Sequence, residues 1–350
     1  MPKRWPVRAA VLGTTGFLLV PLAAGTASAG AANDGGGDRI VVTATPTAPT
    51  AAGSDSRAAA ACNVFNRTGV CWNTRLTVTL YRNTTPVGQV FGTLTQVIEL
   101  NMKSRAFSER FALHTDRIVG SASGVFGTIA VSCGGGCKAS PSGISGKVLR
   151  VGSTINGKIG YSDSVRKGKA HSSPTHYTMT FTKAGYVPTK PAVWNSPLKF
   201  RCDDAIGGLG AGCVFPAYTP TLTSMRSLRF ISQNIRNLQK KGAPKLLHRN
   251  SKLTTSNRRA VCGPAKLPRG WKPPAGWPKP LSDKKNKPSC DEYAFAGTNE
   301  GGKKPHNGYA WVPKRENDSQ GGKLIAFYKA WRVLDATSAR GQGDAFYVSV

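Results

Sequence analysis

Asp291 and Glu292 are adjacent, Glu300 follows shortly, and Glu316 and Asp318 flank Asn317, so five carboxylates fall within 28 positions. The stretch around them is cationic: residues 241–350 carry 21 Lys and Arg against 8 Asp and Glu. Carboxylates collected in a positive field suit a metal-dependent enzyme that works on a polyanion. Basic side chains would hold phosphates while the acids coordinate a hard cation and move protons. Hydrolysis of a phosphodiester needs a deprotonated water, positive charge against the phosphate and a proton for the leaving group. A carboxylate of pKa ~4 is a poor base at neutral pH. Asp291 therefore needs either burial to raise its pKa or a metal to lower that of the water. An all-oxygen donor set favours Mg2+ or Mn2+ over zinc.

Three sequence elements are expected to position these groups. From Ser224 to Lys241, Met225, Leu228, Ile231, Ile235 and Leu238 recur every three or four residues and predict a helix with one apolar stripe and a basic face, stopped by Gly242 and Pro244. Leu324, Phe327, Tyr328 and Trp331 predict a second amphipathic helix, capped by Asn317, Asp318 or Ser319. That start would place Gly321 and Gly322 in the first turn, where backbone N–H groups can meet a phosphate. Between Cys262 and Cys290 lies a Pro-rich loop whose lysines and arginines, Lys272 among them, are interleaved with Trp271 and Trp277. Such a loop suits phosphate neutralisation and base stacking, and a Cys262–Cys290 bridge would anchor the residue just before Asp291.

The whole chain repeats the bias of this stretch. Its 350 residues hold 48 Lys and Arg against 17 Asp and Glu, a formal charge of +31, and the length suggests two domains. Residues 1–29 have the layout of a signal peptide: Lys3, Arg4 and Arg8, an apolar run from Ala9 to Ala24, then Ala27-Ser28-Ala29. Cleavage after Ala29 would leave a secreted, extracellular protein of charge +28 with no stable membrane insertion, the other reading being a single anchor. Residues 30–61 read as a flexible leader. Residues 62–222 alternate polar and apolar side chains between Gly and Pro breaks, as in Arg75–Tyr81, and predict an antiparallel β-rich domain for binding, folding support or attachment. Residues 223–244 are the helix and a connector. Eight cysteines in an exported chain favour disulfides, and their spacing groups them as Cys62–Cys71, Cys133–Cys137, Cys202–Cys213 and Cys262–Cys290, although sequence does not fix pairing. His114, His171, His176 and His248 stand isolated, and His306 lies in a variable-looking loop.

Several blocks then occur in one order: Cys290-Asp-Glu-Tyr-Ala-Phe-Ala296, Glu300-Gly-Gly302, Trp311-Val-Pro313, Glu316-Asn-Asp-Ser-Gln-Gly-Gly322 and Asp344-Ala-Phe-Tyr-Val348. Together they resemble the NucA/NucB deoxyribonuclease domain of small secreted endonucleases. Asn257-Arg-Arg-Ala260 and Gly212-Cys-Val-Phe-Pro216 resemble the run-in of its actinobacterial members. The resemblance covers residues 245–350 and, more weakly, 200–245. It implies an α+β protein in which the N-terminal antiparallel β-rich domain precedes a small ββα-metal nuclease domain of His-Me finger type, with an acid in place of the usual histidine base. Carried over, Asp291 is the general base, Glu292 positions water or substrate, Glu300 and Asn317 hold the metal, and Gln320 orients water or phosphate. Lys314, Arg315, Gly321, Gly322, Lys272 and Trp271 are the candidate substrate contacts. One departure is Ala294, where the family usually has Pro. The implied function is metal-dependent endonucleolytic hydrolysis of DNA with little sequence preference, since phosphate contacts read no bases. The other reading is a non-catalytic binder of DNA or a cell-wall polymer. Sequence decides neither an RNA substrate nor a dedicated inhibitor protein.

Overall fold

The computed structural model describes residues 27–28, 37–48, 62, 64–141, 143–188, 190–337 and 341–350. The N-terminal part is built from long antiparallel strands. Gly69–Arg82, Thr85–Glu99 and Ala106–Gly120 form consecutive neighbours in an eight-stranded sheet. Their alternation is the reason: Leu76, Val78 and Leu80 on one strand, and Val90, Leu94 and Ile98 on the next, all point to one buried face. A four-stranded sheet containing Phe126–Cys133 and Thr175–Thr182 shares this core through Trp72, Phe111, Tyr177 and Trp194.

The leader expected over residues 30–61 is corrected in part. Arg39–Pro46 is a strand paired along its length with Gly69–Arg82, setting Ile40 opposite Leu80, Val42 opposite Val78 and Ala44 opposite Leu76. Ile40, Val42 and Ala44, at every second position, bury one face, a local pattern that the Ala- and Gly-rich average of the segment obscures. Packed structure thus begins before Cys62. The predicted signal segment lies outside the described residues apart from Ala27–Ser28, whose backbone pairs with Thr43–Ala44.

A second core begins at Leu222 and runs to Val348. Thr221–Leu222 pairs in parallel with Ala345–Val348, which pairs on its other side with Leu246–His248. Around this sheet pack α1 (Arg229–Lys240), α2 (Thr254–Cys262), a hairpin of Pro288–Tyr293 and Gly308–Pro313, and α3 (Lys314–Ala330) that follows the hairpin directly. Helix α1 buries Phe230, Ile231, Ile235 and Leu238 and leaves Arg229, Arg236 and Lys240 outside, as its period requires. It is therefore part of the C-terminal core, which begins at Leu222, and no connector. Gly242, at φ +103°, turns the chain out of the helix. The four disulfides join the cysteines in consecutive order.

Helix α3 departs from expectation at its start. It begins at Lys314, just after Pro313, so Asn317 to Gly322 lie inside it and cap nothing. The N–H groups of Gly321 and Gly322 belong to the helix interior, and the reading of a phosphate bound at a helix terminus does not hold for them. Their missing side chains leave open surface, since an added Cβ would meet nothing within 4 Å.

Candidate active site

Asp291 and Glu292 are consecutive in a strand, so their side chains leave on opposite faces of the hairpin. On one face lie α1 and α3. Asp291 Oδ1 accepts a hydrogen bond from Gln320 Nε2 at 2.8 Å, and Oδ2 accepts one from Asn234 Nδ2 at 2.8 Å, which also donates to the Asp291 carbonyl at 3.0 Å. The carboxylate is sealed, with Asp291 only 1% exposed. Burial pushes its pKa up to about 7, the two amide donors oppose that rise, and the charges of Glu292 and Glu316 add to it. A carboxyl whose pKa is raised towards neutrality has the acidity that acid–base catalysis uses.

Asn317 stands one helical turn before Gln320 and donates to Ser289 Oγ at 2.9 Å and the Cys290 carbonyl at 3.0 Å, pinning α3 to the strand that carries Asp291. From the other face, Arg258 of α2 meets Glu292 at 3.1 Å. The Cys262–Cys290 disulfide ties the end of α2 to the residue preceding Asp291. Glu316 reaches the N-terminus of α1, where its Oε2 accepts from the Phe230 and Ile231 N–H groups at 2.9 and 3.1 Å.

Glu300 is elsewhere. Both its oxygens are taken by His248, through the ring Nδ1 at 2.8 Å and the backbone N–H at 2.8 Å. The structure thus gathers Asp291, Asn317 and Gln320 against α3 and does not bring Glu300 to Asn317. As a metal-binding pair these two do not fit: one is committed to a histidine, and the other turns its amide onto a backbone carbonyl. Among the described residues, no group of three or more His, Cys, Asp and Glu side chains is arranged to hold an ion.

Of the substrate candidates, Lys314 is exposed and paired with Asp318 at 2.7 Å, and Arg315 is exposed with Asp283 at 3.6 Å. Lys272 is exposed, whereas Trp271 is half-buried and packs edge-on against Trp277. Trp277 itself lies in the core and donates to the Asn286 carbonyl at 2.7 Å. The loop's tryptophans therefore build the core before they can stack on a base. Ala294 is likewise enclosed, at 1% exposure.

Asn234 is the functional residue that sequence reasoning passed over. It sits on the buried stripe of α1 between Ile231 and Leu238, and a polar residue on an apolar face is a legible sign of a buried partner. The His248–Glu300 pair had no such sign, because its members are 52 positions apart. His171, also read as isolated, is paired with Asp163 at 2.7 Å.

Residues 235–349 match the family model described as Deoxyribonuclease NucA/NucB. No curated protein and no solved structure matches the chain.

Proposed function

Since residues 235–349 match the NucA/NucB deoxyribonuclease family model, we propose that the protein is a secreted endonuclease that hydrolyses DNA phosphodiesters with little sequence preference, and that Asp291 is its general base. The observation that carries the assignment is the carboxylate of Asp291, held at each oxygen by an amide from a different helix and titrating near neutrality. In this reading Asp291 takes the proton of the attacking water, the water oxygen bonds to phosphorus, one P–O ester bond breaks and the leaving oxygen is protonated from solvent. Asn234 and Gln320 fix the orientation of the base, and Asn317 fixes α3 over it. The hairpin followed directly by α3 supports a ββα nuclease unit. Four disulfides and the N-terminal pattern support export. A divalent cation, Mg2+ or Mn2+, belongs to the proposal through the family likeness, and it would offset charge developing on the phosphate. No described residue is assigned to hold it.

The burial of Asp291 favours a second reading: a polyanion-binding protein without turnover. Plasmid nicking separates the two. Wild type, with Mg2+ or Mn2+ and with chelator, is compared with Asp291→Ala. Nicking by wild type that falls at least about 100-fold in the variant is expected for a lost base. Intact plasmid in every lane overturns the nuclease reading and leaves the binder. Undiminished nicking by Asp291→Ala removes the base assignment and keeps the enzyme.

A further inference from the structure

The two domains are fastened to each other by buried arginines. Arg67 and Arg201 of the β-rich domain both grip Asp344 of the nuclease domain, at 2.7 and 2.6 Å, and Arg332 of the nuclease domain grips Asp203 in return. None of the three guanidinium side chains is more than 4% exposed. Beside this fastening lies a cleft of about 650 Å3, walled by Lys169, Ala170 and Ile206 from one domain and by Ile325, Tyr328 and Lys329 of α3 from the other.

One lip of the cleft is a basic turn, Arg166-Lys-Gly-Lys169, whose four residues are all exposed. Lys169 N–H bonds the Arg166 carbonyl at 3.0 Å, and the turn is stitched to the neighbouring loop by Gly168 N–H to the Asp204 carbonyl and Asp204 N–H to the Lys169 carbonyl, at 2.8 and 3.0 Å. Asp204 directly follows the Asp203 held by Arg332, so the turn is fixed relative to the nuclease domain. The acids nearby are few: Asp204 is half-buried, and Asp335 is bound to the backbone N–H of Ser251 at 2.8 Å and faces Arg249.

The outer stripe of α3, on the side of the helix away from the buried Gln320, leads into this cleft. Gly321, Gly322, Ile325 and Lys329 are exposed along it, with Ile325 58% exposed. From Gln320 to Lys329 the helix rises roughly 14 Å at ~1.5 Å per residue. That distance corresponds to about four nucleotides at ~3.4 Å per nucleotide of one duplex strand.

We propose that the β-rich domain completes the substrate surface: the phosphates of a polynucleotide bound at the nuclease domain continue along α3 into the interdomain cleft, where Arg166, Lys167, Lys169 and Lys329 receive them. The proposal deepens the nuclease reading and rests on it. The bare glycines let the backbone approach the helix, Ile325 offers an apolar contact, and the cations come from both domains, so neither domain alone provides the site.

The test uses the full chain with Arg166→Gln, Lys167→Gln and Lys169→Gln combined, and separately Lys329→Gln. Melting curves matching wild type establish that these exposed changes leave the fold intact. With the combined variant, KM for a 20-base-pair duplex should rise at least about tenfold with kcat within about twofold, while turnover of a dinucleotide, too short to reach the cleft, stays unchanged. In equilibrium binding of the duplex, the slope of log K against log salt should become shallower by roughly 3, at ~0.9 for each phosphate no longer neutralised. An unchanged KM and slope in an active protein overturns the proposal and leaves the nuclease reading standing. A wild type that cleaves neither substrate overturns the nuclease reading, and the salt slope alone then decides the cleft. Loss of poly(glycerol phosphate) binding with duplex binding intact also overturns it.

Discussion

At Asp291 two opposing effects meet in one carboxylate. Burial destabilises the anion, while Asn234 and Gln320 each donate a hydrogen bond that stabilises it, and the balance falls near pH 7. A base must be ionised to accept a proton, so kcat/KM should rise with pH and level off above about 7. Gln320→Leu removes one of the two donors that favour the anion, and its pH profile should move to higher pH. A profile that keeps the wild-type midpoint while activity falls would assign Gln320 to structure and not to the tuning of Asp291. The conservative Gln320→Asn change, too short by one methylene to reach the same oxygen, should behave like the leucine variant.

Among the elements, α1 shows how one residue serves two helices. Its own N-terminal flank offers no side-chain cap, and the carboxylate of Glu316 on α3 accepts from two of the N–H groups left open there. The negative charge also complements the positive end of the helix. Glu316→Ala should lower stability by about 1 kcal/mol, read as a shift in the denaturant midpoint, whereas Glu316→Gln should retain most of it because an acceptor oxygen remains. Since α1 carries Asn234, a frayed first turn would also loosen the hold on Asp291. The alanine variant should therefore lose activity out of proportion to its stability.

For the molecule as a whole, the charges between the domains decide whether either can stand alone. Burial opposes ionisation of Asp344, but Arg201 and Arg67 outweigh it and hold the carboxyl below its ordinary range. Its contribution to stability is present above the unfolded carboxylate pKa and is lost as pH falls through the lower folded value. Asp344→Asn leaves two buried guanidinium groups sharing no carboxylate and should cost about 3–5 kcal/mol in urea unfolding. A loss below ~1 kcal/mol would mean that water reaches the junction. By the same argument, a fragment of residues 245–350 should not fold: it lacks Thr221–Leu222, helix α1 and the arginines that neutralise Asp344.

Much of this was legible in the order of residues. Local periodicity marked α1 and the long strands, because a side chain's face is set by its neighbours two, three or four positions away. The order of short motifs from Cys290 to Val348 marked the family resemblance, and the spacing of the cysteines grouped them without fixing the pairs that the structure shows. What only the tertiary structure decided involves partners far apart in the chain. Glu300 reads as a metal ligand until His248 is seen holding both its oxygens. Asn317 reads as a cap until α3 is seen to start three residues earlier. The basic turn at Arg166 is held in place by a strand that Arg332 fixes from 129 positions away. Hydrogen bonds and ion pairs form between whatever groups the fold brings within about 3 Å, and nothing along the chain records which groups those will be.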